Sequence, residues 1–259
     1  MGGTMCLHDK GVIEPMLRRD TYLHLYEIGD LDDFFWPYTT WYTRDDQVAL
    51  LYSGFMPPVL AALSEQPDTL ADLLRSILPL LPRKFHAHIS GEAGQILSDS
   101  YHLYSYGRHD KMALLDETAS DTIDTSNVIA LTESNLSELE TLYCQSYPGN
   151  SFDPRMLETH CYFGIRQDGQ LVSVAGIHVY SPRYRVATLG NVTTHPDYRG
   201  RGLGTAVCAR LCQHLRQHVD HIGLNVKADN ASAIACYRHL GFRRTTSYYE
   251  YDCIVKTEV

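Results

Sequence analysis

A run of closely spaced glycines near residue 200 is the feature of this sequence best suited to chemistry. Gly200, Gly202 and Gly204 follow a segment predicted to be a β-strand and accompany the start of a helix predicted to begin at Leu203. Glycine lets the backbone approach a bulky ligand closely, and the unpaired N–H groups at the start of a helix attract anions. The segment therefore predicts a binding site for a phosphate or diphosphate group.

Two common nucleotide-binding loops do not fit this spacing. A mononucleotide P-loop needs a lysine directly after its last glycine, whereas Gly204 is followed by Thr205. A dinucleotide loop of the form GxGxxG needs a third glycine at position 205 or 207, where the sequence has Thr205 and Val207. The spacing therefore disfavours both nucleotide phosphotransfer and dinucleotide binding.

The remaining pattern, Arg199 followed by Gly202 and Gly204, resembles the acyl-CoA pyrophosphate loop of the GNAT acyltransferases. A second element typical of that superfamily follows at the expected distance and includes Tyr237 on a predicted helix. The resemblance covers about residues 162–252, and the segments AGIHV and GNVTTHP look especially like the glycine N-acyltransferase branch. That branch has a degenerate GNAT-like amino-terminal domain, which the segment YSGFMPPVLAAL resembles.

The resemblance implies one site for a co-substrate, acetyl-CoA or another acyl-CoA. The backbone of residues 192–194 would bind the pantetheine arm as an added β-strand and direct an N–H group at the thioester carbonyl. One such donor contributes about 3 kcal/mol where negative charge develops in a tetrahedral intermediate. The segment 199–205 would hold the pyrophosphate, and Asn230 would contact the lower pantetheine. The implied co-substrate residues are Val192, Thr193, Thr194, Arg199, Gly200, Arg201, Gly202, Leu203, Gly204, Thr205, Asn225, Asn230, Ala233 and Tyr237.

The resemblance also implies catalytic groups. Tyr237 matches the family tyrosine beside the coenzyme sulfur, where a phenol could give its proton to the departing thiolate. Ile234, Tyr237 and Leu240 form a helical apolar stripe as well, so packing alone is the other interpretation of Tyr237. An amine must lose its proton before it attacks, and His178 in a predicted strand is the preferred base. His195 is the second candidate, and a structural role stays open for both histidines.

Other pairs of reactive side chains lack the further ligands that a metal site needs. His86 and His88 alternate along a predicted strand, and Cys208 and Cys212 lie one helical turn apart. Neither pair has more ligands at a suitable spacing, so we expect no metal. A covalent cysteine mechanism is also disfavoured, because no cysteine is close in sequence to the implied carbonyl site.

The apolar periodicity predicts an α/β protein, and the resemblance implies the GNAT fold, a mixed, mainly antiparallel twisted sheet flanked by helices. Helices are predicted over 203–219 and 231–240, the second ended by Gly241. The Asp-Gly pair at 168–169 predicts a hairpin turn, and residues 242–255 predict a final pair of strands.

A stretch rich in acidic residues, Ser, Thr and Asn, residues 116–127, interrupts the apolar periodicity and predicts a linker. We therefore predict two domains. A smaller amino-terminal α/β domain, GNAT-like in a degenerate form, would cover residues 1–125. The acyl-CoA-binding catalytic domain would cover residues 126–259.

The composition bounds the partners and the compartment. The chain has 31 acidic and 22 basic side chains among 259 residues, and the net charge of -9 disfavours nucleic acid as a partner. No apolar stretch is long enough to span a membrane, and the amino terminus lacks a secretory signal pattern. Seven cysteines without CxxC spacing indicate free thiols in a reducing compartment. We expect a cytoplasmic protein with no membrane partner, and the sequence does not indicate its oligomeric state.

These features predict an N-acyltransferase, first of all an N-acetyltransferase, in which a primary amine attacks the thioester directly. A small-molecule amine or an amino acid is the expected acceptor, and a protein amine is less favoured. The alternative from another class is a non-catalytic acyl-CoA-binding sensor or scaffold. The presence of Tyr237 argues against that alternative.

Overall fold

The computed structural model describes residues 3–256, which form two compact units. Each unit consists of separate chain segments, because Lys227–Asp229 and the later part of the carboxyl-terminal strand belong to the first unit. The division into domains at 1–125 and 126–259 stays a prediction. Unit 1 comprises the chain up to Lys111 together with Lys227–Asp229 and the segment from Thr245 onward, and unit 2 comprises Met112–Val226 and Asn230–Arg244.

Within residues 3–256 the chain forms twelve β-strands and six α-helices, joined by turns and short 3₁₀ helices. In chain order these elements are β1 (Met5–Leu7), α1 (Lys10–Leu17), α2 (Leu25–Gly29), β2 (Thr39–Arg44), β3 (Gln47–Tyr52), β4 (Val59–Ala62), α3 (Pro67–Ile77), β5 (Lys84–Ile89), β6 (Tyr101–Leu114), β7 (Ile129–Ala130), α4 (Leu136–Ser146), β8 (Phe163–Gln167), β9 (Gln170–Ser181), β10 (Val186–Thr194), α5 (Leu203–Leu215), β11 (His221–Lys227), α6 (Ala231–His239) and β12 (Phe242–Val255).

The strands of unit 1 lie in the order β1-β2-β3-β4-β5-β12-β6. Neighbours from β1 to β4 pair antiparallel, β4 pairs parallel with β5, and β5 pairs antiparallel with β12. Leucines of α3, among them Leu70 and Leu74, pack in one buried cluster with Phe85 and Ala87 of β5. Burial of this apolar surface stabilises unit 1.

The strands of unit 2 lie in the order β11-β10-β9-β8-β7. β10 pairs parallel with β11 and antiparallel with β9, so the sheet is mixed, as predicted. Residues of β9 are buried almost without interruption, which means that both faces of this strand are covered. α4 and α5 both pack against β9 and β10.

The helix predicted from Leu203 is α5, whose residues Val207, Leu211 and Leu215 are fully buried. It ends at Leu215 and not near residue 219, because the amides of Gln217 and His218 each bond to a carbonyl three residues back and tighten the last turn.

Turn residues at the ends of two other elements are confirmed. Asp168 and Gly169 both have positive φ and join β8 to β9 as a tight hairpin. Gly241 follows α6 with a φ of 94°, and a Cβ there would lie 2.0 Å from the carbonyl oxygen of Asp116. Gly241 therefore permits both the helix end and the close approach of the chain at Asp116.

The prediction of a strand pair over residues 242–255 was wrong. The segment forms one long strand, β12, whose residues 249–254 pair with β5. The sequence contains no strong turn former that would break it, and strand alternation alone does not reveal where a strand changes partners. Across the described chain, every helix is too short or too polar to cross a lipid bilayer.

Candidate functional site

In unit 2, strands β10 and β11 are neighbours along only part of their length. Their parallel pairing joins Val186–Leu189 to His221–Leu224. β10 then continues to Thr194 and β11 beyond Leu224, and within the described residues no further register partners link them. The peptide groups that face this gap can pair with an extended ligand in the way an added strand would.

Two β-bulges distort the strands on the other side of this gap. The register between β9 and β10 shifts at Thr188/Leu189, where His178 is an extra residue in β9, and again between Gly190 and Thr193. The second shift places one extra residue in β10, next to Asn191, whose φ is 53°. A bulge bends its strand and re-aims the neighbouring groups, and bulges are frequent beside functional sites.

Asn191 is buried and holds the β10 bulge in place. Its amide nitrogen donates to the hydroxyl of Tyr162 at 3.0 Å, and its amide oxygen accepts from the backbone N–H of Ser151 at 3.2 Å. The hydroxyl of Tyr143 donates to the Asn191 carbonyl at 2.7 Å. Burial raises the pKa of Tyr143 and of Tyr162, so both phenols keep their protons at neutral pH. Sequence analysis missed this network.

The glycine loop contains two residues with a left-handed backbone conformation. Gly200 and Gly202 have φ values of 74° and 78°, a region that other residues enter only with strain. Gly202 is the N-cap of α5, so the amides of the first helical turn lack carbonyl partners within the helix. A Cβ at Gly204 would meet only the hydroxyl of Thr194, at 3.4 Å. The loop therefore leaves room for a ligand close to the helix N-terminus.

Two exposed arginines, Arg199 and Arg201, alternate with these glycines. The Arg199 Nε donates to the carbonyl of Thr194 at 3.0 Å, which ties the loop to the end of β10. Arg201 donates to the carbonyl of Asp197 at 2.9 Å and lies 5.0 Å from the ring centroid of Tyr198. Both guanidinium groups add positive charge beside the N-terminus of α5, which favours an anion.

A cleft of about 810 Å³ opens beside the first turn of α5. Part of its wall is the predicted linker, which sequence analysis did not assign to a site. No chemical motif marks that segment, so only the fold reveals its position. The cleft is lined by Ile123, Asp124, Ser126, Asn127, Val128, Ile129, Ile165, Arg166, Gln167, Arg201, Gly202, Leu203, Thr205, Ala206 and His239.

The predicted residues of β10 lie at the gap. Thr193 is buried, Val192 and Thr194 are half-buried, and all three belong to the part of β10 beyond its pairing with β11. The hydroxyls of Thr194 and Ser173 are 2.8 Å apart, and the Ser173 hydroxyl donates to the Thr193 carbonyl at 3.4 Å. Asn225 is half-buried on the facing part of β11.

The residues predicted on α6 have clear structural roles. Asn230 caps the helix, since its side-chain oxygen accepts from the backbone N–H of Ala233 at 3.2 Å. Tyr237 is only 8% exposed, and its ring centroid lies 5.9 Å from that of Phe242. Ala233 packs against the same apolar cluster. The ring of Tyr237 is therefore a packing group, and the role of its hydroxyl as an acid stays a prediction.

The two candidate histidines occupy different positions. The His178 ring covers the β10 bulge so closely that a Cβ on Gly190 would lie 2.2 Å from its Cδ2 atom. His195 instead accepts a hydrogen bond from the backbone N–H of Asp197 at 3.3 Å, with its ring 5.7 Å from that of Tyr198. His195 thus caps the turn before the glycine loop, and His178 is the histidine beside the bulge.

Cys236 is a thiol beside the first turn of α5 that sequence analysis did not single out. Its sulfur lies 3.3 Å from the hydroxyl of Thr205, in the first turn of α5. The hydrogen bond from Cys208 lowers the pKa of Cys236 to about 7, with a smaller contribution from Thr205, against the opposing effect of burial. Only the fold reveals this pair of thiols, because Cys236 and Cys208 lie on different helices.

Comparison with known proteins places these features in a family context. The model described as the Acetyltransferase (GNAT) family matches residues 129–242. The chain is 36% identical over 96 residues to the ribosomal protein bS18 alanine N-acetyltransferase of Escherichia coli, covering 36% of this chain and 63% of that protein. It is 33% identical over 136 residues to N-alpha-acetyltransferase RimI of Mycobacterium tuberculosis, covering 48% of this chain and 83% of that protein.

Solved structures support the same fold. A GCN5-related N-acetyltransferase from Kribbella flavida superposes with a TM-score of 0.59 at 17% identity, covering 90% of this chain and 94% of that chain. The predicted fold class, a mixed sheet flanked by helices, is therefore confirmed. The chain spans somewhat less than two thirds of the length of the Escherichia coli relative that it matches.

The Asn191 network provides a test of the site's architecture. Asn191→Ala removes the hydrogen bonds to Tyr162 and Ser151. Alanine is also more strained than asparagine at the positive φ of this position. We expect a loss of about 3 kcal/mol in the free energy of unfolding, measured by urea denaturation. Asn191→Gly relieves the backbone strain and should lose about 1 kcal/mol less than the alanine variant. Equal stability of Asn191→Ala and the wild type would contradict this account.

Proposed function

Because this chain belongs to the GNAT acetyltransferase family, we propose that it is an N-acetyltransferase that transfers the acetyl group of acetyl-CoA to an α-amino group. The observation that carries the proposal is the glycine loop at the N-terminus of α5, which adjoins the gap between β10 and β11. A diphosphate and an extended amide-containing arm are consecutive parts of coenzyme A, and they fit these two neighbouring features.

The residues at the loop fit the pyrophosphate. The positive φ values at Gly200 and Gly202 allow a close backbone approach, and the first-turn amides of α5 can donate to phosphate oxygens. The charges of Arg199 and Arg201 add attraction for a dianion. In this proposal Leu203, Gly204 and Thr205 contribute backbone N–H groups.

The strand edge beyond Leu189 fits the pantetheine arm. Residues 192–194 would pair with its amides, and Asn225, Asn230 and Ala233 would line the opposite side. The co-substrate supplies an activated thioester carbonyl. A backbone N–H aimed at that carbonyl oxygen would stabilise the developing negative charge by about 3 kcal/mol.

Two side chains are proposed to move protons. Tyr237 on α6, whose ring packs edge-on against Phe242, would donate its phenolic proton to the thiolate that leaves. His178, which covers the β10 bulge, would accept the proton of the attacking amine. The amine attacks directly, so this chemistry requires no acyl-enzyme.

The acceptor is proposed to be the α-amino group at the amino terminus of a protein. The two relatives compared above are named for acetylation of alanine in ribosomal protein bS18 and for N-alpha-acetylation, which favours a protein amino terminus. The competing acceptor is a small amine or free amino acid, as the pattern of the glycine N-acyltransferase branch implies. A cytoplasmic location belongs to the proposal, since all seven cysteines are free.

Tyr237→Phe tests the proposed acid. The substitution keeps the ring and its packing, so we expect an unchanged fold and an unchanged KM for acetyl-CoA with kcat lowered about 100-fold. Steady-state kinetics across pH measure this effect. Tyr104→Phe, on an exposed tyrosine of unit 1, should leave kcat unchanged.

Retention of wild-type kcat by Tyr237→Phe would reject the acid role and leave Tyr237 as a packing residue.

The same kinetics on His178→Gln test the base. Loss of the acidic limb of the kcat/KM profile supports His178 in that role, whereas an unchanged limb rejects it.

A panel of amines tests the function itself. The panel contains a peptide with an amino-terminal alanine, the same peptide already acetylated at that end, free glycine, free alanine and spermidine. We expect release of free coenzyme A, measured by chromatography, together with one added acetyl group on the unblocked peptide.

Turnover with free amino acids or spermidine instead would support the small-amine acceptor. Binding of acetyl-CoA by calorimetry without turnover on any amine would contradict the proposal and favour the non-catalytic sensor. The acetylated peptide controls for coenzyme A release by hydrolysis alone.

A further inference from the structure

Unit 1 contains a cluster of histidines and carboxylates on one face of its sheet. His86 and His88 alternate along β5, so their side chains share a face. The register of β5 and β12 places Glu250 opposite His88 and Asp252 opposite His86. His109 of β6 joins from the other side of β12. Side chains from three neighbouring strands thus meet on this face of the sheet.

The distances within the cluster match those between the ligands of one metal ion. The Nε2 atom of His86 lies 3.7 Å from Oε2 of Glu250, and the Nε2 atom of His88 lies 3.6 Å from Oε1 of the same carboxylate. These separations exceed those of ordinary N–H···O hydrogen bonds. In tetrahedral zinc sites, with metal–ligand distances near 2.0–2.2 Å, ligand atoms are about 3.4 Å apart.

One ligand atom from each of His86, His88 and Glu250 also lies within 4.8 Å of the other two. Such a spacing needs only small side-chain adjustments to surround a cation. A donor set of imidazole nitrogens and a carboxylate oxygen favours zinc over magnesium or calcium.

Hydrogen bonds around the cluster orient its members. The Nδ1 of His86 is 3.0 Å from a carboxylate oxygen of Asp252, which leaves Nε2 directed toward Glu250. This carboxylate–histidine arrangement is typical of metal sites, where it fixes the ring and its tautomer. The hydroxyl of Tyr106 donates to the other Asp252 oxygen at 2.8 Å, and the hydroxyl of Tyr248 donates to Glu250 at 2.7 Å.

The solvent exposure and the local charge of the cluster are also suitable for a divalent cation. The side chains of His86, His88 and Glu250 are 24%, 23% and 18% exposed, so an ion can enter from solvent. The two carboxylates offset the charge of a divalent cation. Lys111 is the nearby cation, and its ammonium group is turned toward the rings of Tyr26 and Tyr248 at 4.9 and 5.5 Å from their centroids.

We propose that His86, His88 and Glu250 bind one Zn²⁺ ion, with Asp252 as a positioning residue for His86. Three protein ligands leave the fourth tetrahedral position to a water molecule, which is the pattern of open zinc sites. The ion would link β5 and β12 within unit 1 and stabilise their pairing. The proposal is independent of the acetyltransferase function.

Zinc titration of the tag-free, chelator-treated full chain tests this site. We expect one Zn²⁺ bound per chain by elemental analysis after dialysis, and a rise in Tm on zinc addition. Co²⁺ in place of zinc should give the visible bands of a tetrahedral nitrogen and oxygen site without thiolate charge-transfer absorption, which excludes binding through the cysteines.

Matched variants locate the ion. His88→Gln should weaken zinc binding more than 100-fold and Asp252→Asn about 10-fold or more, and both should reduce the rise in Tm. His102→Gln, at an exposed histidine on the same strand as His109, should bind zinc like the wild type. If His88→Gln does not fold, Asp252→Asn and the wild-type cobalt spectrum decide the question.

A folded wild-type chain that binds no stoichiometric zinc would overturn the proposal. Thiolate bands in the cobalt spectrum, or binding that Asp252→Asn and His88→Gln leave unchanged, would also overturn it. Since none of these readouts depends on turnover, failure here leaves the acetyltransferase proposal untouched.

Discussion

The extra residue in β10 at Asn191 is the constraint on which the candidate site depends. A strand with an inserted residue bends, and here the bend coincides with the end of its parallel pairing to β11. The buried hydrogen bonds that Asn191 makes with Tyr162, Tyr143 and Ser151 hold the strand in that shape. Regular pairing through Thr194 would instead close the strand edge that the proposed co-substrate needs.

The glycine loop continues from this opening. The backbone leaves β10 at Thr194, is tied back to that residue by Arg199, and enters α5 at Gly202. The buried side of α5 anchors the helix in the core of unit 2, so its N-terminal amides have a fixed direction. In the proposed function these amides would form a preorganised anion site, which would need little rearrangement when a ligand binds.

Much of this arrangement could be predicted from local sequence. Glycine spacing located the loop and the start of α5, and the Asp-Gly pair located the β8–β9 hairpin, because each depends on backbone conformations that few residues adopt. The bulges could not be predicted, since an inserted residue changes register only relative to a partner strand. The polar network of Asn191 likewise unites residues that are far apart in the chain.

The metal site proposed in unit 1 could likewise not be predicted from local sequence. His86 and His88 alone did not indicate a metal site, because their neighbour Glu250 is on a strand near the other end of the chain. Strand order brought them together, and strand order is the property that local patterns reveal least. Pairs of reactive side chains at strand spacing are therefore worth reassessment once the sheet is known.

Hydrogen exchange of backbone amides, with and without coenzyme A, tests the central claim most directly. If the ligand pairs with the opened edge of β10 and sits on the N-terminus of α5, amides of residues 190–194 and 202–206 gain protection while β5 and β12 exchange as before. Protection elsewhere in the chain, with those two segments unchanged, would contradict the account.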